Sequence, residues 1–286
     1  MHTFAFAAMI AVIINFCKMP LNKQRRVIIS HVIGEGMIVP RKWFSQQKLA
    51  DLRLGRHAID NLLKSNELYI ISKGVYARSG TTPTWETVLY SLQKYFSLDV
   101  VAGGITALEL MGYGHYANLK GVARIHLYSS MKLPKWIHEA PYDVEFIEHS
   151  NKELLGRGEK NISAFSLSQY SVSYSWRKDA PPLLISGPER ALLEIISGIP
   201  KYISAEHAYQ LMQGLTTLSP DKMQELLENC NSIKMRRLFF WLADHFNYTW
   251  LKKIDRSKIN LGMGNRVIVK GGKFNKQYKI TVPEQL

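Results

Sequence analysis

Apolar residues recur at helical spacing in three short stretches near the N-terminus. From Gln24 to Ile33 the inner positions are Val27, Ile28, His31 and Val32; from Lys42 to Leu52 they are Trp43, Phe44, Leu49 and Leu52; from Arg56 to Ser65 they are Ile59, Leu62 and Leu63. Gly55 separates the second stretch from the third. The third shows His57, Asp60, Asn61 and Lys64 on its opposite side. The pattern then changes. Leu68 to Ala77 reads as two β-prone runs around Ser72-Lys73-Gly74, where glycine permits the positive φ of a tight hairpin. Three short helices followed by a β-ribbon predict a winged helix-turn-helix, in which the last helix enters the DNA major groove and the wing reaches a phosphate.

Ser79-Gly-Thr-Thr-Pro83 is a turn-rich joint and the expected domain boundary. Beyond it, Trp85 to Phe96 predicts a helix with Val88, Leu89, Leu92, Tyr95 and Phe96 inside. Asp99 to Ile105 predicts a short strand entering a Gly-containing turn. Val122 to Tyr128 and Tyr142 to Ile147 alternate as strands do. Ser186-Gly-Pro188-Glu189 reads as a helix start with Ser186 as N-cap, proline in the first turn and Glu189 completing a capping box. Helical periodicity returns over Ala205 to Leu215, Pro220 to Leu227 and Ile233 to Phe246. The tail holds two strand-like runs, Val267 to Val269 and Tyr278 to Val282, expected to close as a hairpin across Gly271-Gly272. The expected architecture is α+β: a winged helix-turn-helix over residues 19–79 and a larger mixed α/β domain over 84–286, with a small sheet, a helical lobe and a terminal β-hairpin.

Charge sharpens this picture. The 286-residue chain carries a formal net charge of +14. Between Met19 and Arg78 there are eleven basic residues and four acidic ones, a net charge of +7 and an electrostatic footprint for a polyanion. The candidate DNA contacts are Lys42, Lys48, Arg53, Arg56, His57, Asn61, Lys64 and Lys73. Basic residues cluster again from Leu251 to Val282, where Arg266, Lys270 and Lys273 are candidates for a second contact. The loop Gly262-Met-Gly-Asn-Arg266 could offer backbone N–H groups to a phosphate, although its spacing is neither that of a P-loop nor that of a dinucleotide fingerprint.

Two cysteines far apart, Cys17 and Cys230, support neither a disulfide framework nor a zinc site and fit a reduced, cytoplasmic setting. Thr3 to Cys17 is almost wholly apolar, has no Lys or Arg before it and is short for a membrane span. Residues 1–18 are therefore expected to be an extension upstream of a start at Met19, with no membrane role.

No catalytic constellation stands out, and no cofactor or metal is expected. Asp143-Val-Glu145 with Lys160 is the nearest approach to a metal-dependent nuclease, so the alternative function is a nucleic-acid-processing enzyme with a winged-helix targeting domain. A protein that sequesters a toxin directly is a third class. His115, His126, His138 and His149 are scattered without metal spacing, and Arg190 is expected to sit in a buried ion pair.

An ordered series of segments resembles the AbiEi-type antitoxins, the regulators of type IV abortive-infection (AbiE) toxin–antitoxin systems used in phage defence. The series begins with Lys73-Gly-Val-Tyr-Ala-Arg78 and the run from Gly103-Gly-Ile-Thr-Ala-Leu to Tyr116. It continues with Leu133-Pro-Lys-Trp136, Ser186-Gly-Pro-Glu-Arg-Ala-Leu-Leu-Glu194 and Gly214-Leu-Thr-Thr-Leu218. It ends with Lys234-Met-Arg-Arg-Leu-Phe-Phe240, Asn260 to Arg266 and Tyr278-Lys-Ile-Thr-Val-Pro283. The resemblance covers nearly everything from Asn22 onward. It implies an autorepressor that binds inverted repeats of double-stranded DNA in its own promoter, monomeric in solution and able to assemble cooperatively on DNA. It also implies that the larger domain opposes a nucleotidyltransferase toxin without a stable complex.

Overall fold

The computed structural model describes residues 33–46, 56–114, 122–139, 142–155 and 167–284, without the side chains of residues 45–46, 56–58, 153, 155 and 167. The described residues form a mixed α+β fold. Contacts divide the chain into two compact units, one reaching to Ser97 and including Lys135–Tyr142, the other comprising Leu98–Pro134 and Asp143 onward. The helix expected from Gln24 to Ile33 lies outside the described residues except for Ile33.

The first unit opens with strand β1 (Ile38–Pro40), helix α1 (Arg41–Gln46) and helix α2 (Arg56–Lys64), followed by strands β2 (Leu68–Ser72) and β3 (Val75–Arg78) and helix α3 (Trp85–Lys94). The three strands form a sheet in the order β1-β3-β2, antiparallel throughout. Strand β1 has no periodic signature because it is three residues long; it forms because Ile38 and Val39 bury against Ala77 and Tyr76 of β3. Helix α3 belongs to this unit and not, as the turn-rich joint suggested, to the second. Thr84 caps it in a reciprocal capping box with Thr87. Its Ser91 hydroxyl accepts the Ile38 N–H at 2.9 Å, so the outer edge of β1 is satisfied by a helix. Trp136, from the 3₁₀ turn at Lys135–His138, packs its ring 5.2 Å from Phe96 and ties that distant segment into the unit.

In the second unit, strands β4 (Val100–Ala102), β5 (Ala123–Ser129), β6 (Val144–Ser150), β7 (Ser171–Tyr174) and β8 (Leu183–Ser186) make a sheet in the order β6-β5-β4-β8-β7. The pairs β5–β6 and β4–β8 are parallel; β4–β5 and β7–β8 are antiparallel. Helix α4 (Gly104–Leu110) follows β4, and the short α5 (Lys152–Leu155) follows β6. Helices α6 (Pro188–Gly198), α7 (Ala205–Gly214), α8 (Pro220–Asn229), α9 (Ile233–Ala243) and α10 (Thr249–Lys252) form the helical lobe, with α6 touching most of the others. Its core includes Leu192, Ile196, Leu211, Met212, Leu227, Leu238 and Phe239, all at most 3% exposed. Burying each such side chain contributes about 1.5–3 kcal/mol.

Helix α9 is buried from Met235 to Ala243, and that stretch includes two arginines. Both donate to backbone carbonyls, although Arg236 Nε is buried without a partner among the described residues. Arg236 donates to Asn260 O at 2.6 Å and to Cys230 O; Arg237 donates to Leu261 O at 2.6 Å, Gly264 O at 2.7 Å and Lys279 O at 3.2 Å. The 261–264 loop therefore turns carbonyls inward onto Arg237.

The tail forms a third sheet from β9 (Arg266–Val267), β10 (Lys273–Asn275) and β11 (Ile280–Val282), with β11 central. The terminal hairpin is β10–β11, and β9 runs parallel to β11. The hairpin expected between Val267–Val269 and Tyr278–Val282 is thus replaced, because the five residues between Val267 and Lys273 suffice to reverse the chain and insert β10 as an antiparallel partner.

Candidate nucleic-acid interface

Helix α2 is held by Ile59 and Leu62, both buried, while Asp60, Asn61 and Lys64 are exposed. A Schellman motif ends it: Asn66 adopts φ 56°, its N–H donates to Leu63 O at 3.1 Å, and the Glu67 N–H donates to Leu62 O at 2.9 Å. This motif turns the chain into β2 and leaves Lys64 in the last turn, where a cation complements the helix dipole. Below the helices, Phe44 packs edge-on to Trp43 at 5.3 Å and to Tyr76 at 5.9 Å. A rigid aromatic floor thus supports the elements that carry the polar side chains.

The β2–β3 turn is Lys73-Gly74, with Gly74 at φ 76°. Its carbonyl accepts the Arg41 N–H at 2.8 Å, which fastens the hairpin tip to the start of α1. Arg41, Lys42 and Lys73, all exposed, are thereby neighbours along the backbone path. Arg41 was not singled out from sequence; only the tertiary bond between residues 33 positions apart reveals its place. Of the expected contacts, Asn61 and Lys64 share the exposed stripe of α2, and Lys42 and Lys73 are each the chain neighbour of a residue in the Arg41–Gly74 backbone bond at the hairpin tip. Arg56 and His57 start α2 with undescribed side chains, and Lys48 and Arg53 lie outside the described residues.

Arg266, Lys270 and Lys273 are all exposed on the tail sheet or its turns. Arg256 is not available in the same way. It donates to Asp244 at 2.7 Å and to Tyr278 Oη at 3.0 Å, and lies 4.8 Å from the centre of the Phe240 ring, an arrangement that clamps the tail onto α9. In the Gly262–Arg266 loop the Gly262 N–H donates to Asn260 Oδ1 at 2.7 Å and the Arg266 N–H to Lys279 O at 2.9 Å, so these two amides are already engaged within the fold.

The second unit buries a polar cluster. Arg190 Nε pairs with Glu194 Oε1 at 2.7 Å, the side chains being 1% and 0% exposed. The same carboxylate accepts the Ser186 hydroxyl at 2.9 Å and the Gly104 N–H at 2.8 Å. Ser186 therefore does not cap α6. Gly187 is the N-cap, and Glu189 accepts the Ser219 N–H at 2.8 Å instead of closing a capping box. Burial and the Glu194 carboxylate push the Tyr128 hydroxyl well above its ordinary range.

Two histidines separated in sequence also meet. The parallel β5–β6 register brings His126 Nδ1 to 2.8 Å from His149 Nε2, with the rings stacked. Burial holds both near a pKa of about 4, so both are neutral at pH 7. Glu145 pairs across strands with Arg124 at 2.9 Å, and Lys160, the third residue of the nuclease alternative, lies outside the described residues. Among the described residues no helix is long and apolar enough to cross a membrane.

Two family models match. One, described as "Transcriptional regulator, AbiEi antitoxin, Type IV TA system", covers residues 122–283. The other, described as "Transcriptional regulator, AbiEi antitoxin N-terminal domain", covers residues 36–119. No curated protein matches. Among solved structures, the chain is similar to the Rv2827c protein from Mycobacterium tuberculosis, with a TM-score of 0.51 and 15% identity over 86% of each chain, a likeness of fold.

Proposed function

The chain belongs to the AbiEi antitoxin family, transcriptional regulators of type IV toxin–antitoxin systems, and from that membership we propose that it represses its own operon by binding inverted repeats in the promoter through a winged helix. In the same reading the larger domain opposes a nucleotidyltransferase toxin in the cytoplasm without forming a stable complex with it. The protein is monomeric when free and assembles cooperatively on the operator.

The observation that carries the DNA reading is the exposed stripe of α2 beside a cationic hairpin tip. The element order β1-α1-α2-β2-β3 supports it, since a β-ribbon follows the last helix as in winged-helix readers. Asn61 suits adenine and Arg56 suits guanine, because those side chains match those base edges in bidentate geometry. His57 and Lys64 face the groove beside them. Lys42, Lys48, Arg53 and Lys73 hold phosphates and set register, with Arg41 joining them at the hairpin tip. Arg266, Lys270 and Lys273 add a second phosphate contact.

Titration of labelled operator and scrambled duplexes tests this. Asn61→Ala is expected to narrow the gap between the two duplexes by roughly 1–3 kcal/mol. Lys73→Ala is expected to weaken both alike. The reverse pattern would show that α2 is not the reading helix.

A further inference from the structure

A cleft of about 220 Å³ runs beside the tail sheet and is lined by Trp241, His245, Lys273, Phe274 and Glu284, among others. Trp241 and His245 meet edge-to-face, 5.8 Å between ring centres. His245 Nδ1 donates to Trp241 O at 2.9 Å. Phe274 is 42% exposed on an edge strand. It also shares a cross-strand row with Thr281 and Val267, the last 67% exposed, while Ile280 and Val282 point into the core from the other face. Met263, 90% exposed, projects from the loop that Arg237 pins in place. Val282, which lines the cleft, thus faces inward, while Phe274, Thr281 and Val267 form a row on the outer face of the same small sheet.

The charge around them is mostly cationic. From Arg256 to Glu284 the sequence holds seven Lys or Arg against one acid, Glu284, which lines the cleft. Arg256 and Lys258 are engaged with Asp244 and Asp255, but Arg266, Lys270, Lys273, Lys276 and Lys279 are exposed at both ends of the strands. A protein partner would be met by the apolar row alone; the surrounding cations favour a polyanion. A duplex keeps its bases stacked and has nothing to place on an exposed aromatic ring, whereas a single strand offers both phosphates and unstacked π-faces.

We propose that the outer face of the tail sheet, which borders this cleft, takes an unstacked base of single-stranded nucleic acid, with Phe274 as the stacking surface and the lysines of the adjoining turns carrying the phosphates on either side. The surface lies wholly in the second unit and does not include helix α2, although its Arg266, Lys270 and Lys273 are also the proposed second operator contact; Phe274 is not part of that contact.

The test is fluorescence anisotropy of the full chain with labelled single strands of about ten nucleotides, one RNA and one DNA of the same sequence, and with the operator duplex. Phe274→Ala is expected to weaken single-strand binding at least about fivefold and leave operator binding unchanged. Phe274→Leu, which keeps apolar bulk without a π-face, is expected to weaken it as well, and Phe274→Trp to restore it. Lys73→Glu on the hairpin tip should abolish operator binding and spare the single strand. Binding to either single strand that follows this pattern supports the proposal, and the RNA-to-DNA ratio tells which strand the surface prefers. Single-strand affinity that is absent, or indifferent to Phe274→Ala and Phe274→Leu while falling with Lys73→Glu, overturns it and leaves the operator reading intact. Operator binding that survives Lys73→Glu counts against the winged-helix reading alone.

Discussion

Removing the Glu194 carboxylate tests how the second unit is held together. In Glu194→Ala, Arg190 keeps its hydrogen bonds to Ser171 at 3.2 Å and Asn151 at 3.5 Å but loses its countercharge in a site 1% exposed. Breaking one side of such a buried pair costs about 3–5 kcal/mol. The Gly104 N–H, which donates to Glu194 at 2.8 Å, is orphaned as well, at about 1–3 kcal/mol. The two costs share one site and do not add fully, so a loss of about 4–6 kcal/mol is expected, a large part of the ~5–15 kcal/mol that holds a domain folded. The double variant Arg190→Met/Glu194→Leu removes both charges together and should lose less, about 1–3 kcal/mol, because the Gly104 N–H and the Ser186 hydroxyl lose an acceptor and Ser171 and Asn151 a donor, but no uncompensated charge stays buried. Equilibrium urea unfolding followed by circular dichroism gives both values. A single variant within about 1 kcal/mol of the parent, or a double variant less stable than the single, would refute the claim that this carboxylate organises the cluster.

Three further outcomes are expected. If about six phosphates are neutralised, log K for operator binding falls with log salt at a slope of roughly −5, and a flat titration would exclude a phosphate-dominated contact. His126 and His149 have folded pKa values lowered to about 4 from 6.5, so the unfolded chain takes up protons that the folded chain refuses; their contribution to stability is full above pH 6.5 and is lost as pH falls toward 4. Urea midpoints should drop over that range by less in His149→Gln than in the parent, and equal drops would show that this pair does not govern the acid limb. Gly103→Ala places its new methyl 2.3 Å from Glu194 Oε2 and 2.6 Å from the Tyr128 ring, whereas Gly74→Ala meets nothing within 4 Å and bears only its φ of 76°. The first should cost well over the roughly 1–2 kcal/mol of the second, measured by the same unfolding experiment.

Much of the first unit was legible because its signals are local. The buried Ile59 and Leu62 and the exposed Asn61 and Lys64 follow from helical spacing alone, and Lys73-Gly74 announces its own turn. What escaped depends on partners distant in sequence. Ile38–Pro40 is too short to show alternation and becomes a strand only against β3. Ser186 looked like an N-cap, but its hydroxyl finds Glu194 eight residues on, so the backbone of Gly187 opens the helix instead. The His126–His149 contact needs a parallel register that no local pattern encodes. Arg256 counted as one of a run of surface cations, yet Asp244 and Tyr278 recruit it as a clamp. In each case a polar side chain had several plausible uses, and tertiary neighbours decided among them.

The hydroxyl of Ser91 that receives the Ile38 amide, and the Trp136 ring against Phe96, have a practical corollary for dissecting this molecule. A fragment cut at the turn-rich stretch near residue 80 would strip the seal from β1 and bare Val88, Leu89 and Leu92's former cavity, inviting strand-to-strand adhesion between copies. Nor would a cut after Ser97 suffice, since Lys135–Tyr142 would be left behind. The first unit is spliced from two separate lengths of chain, so swapping it between relatives means transplanting both.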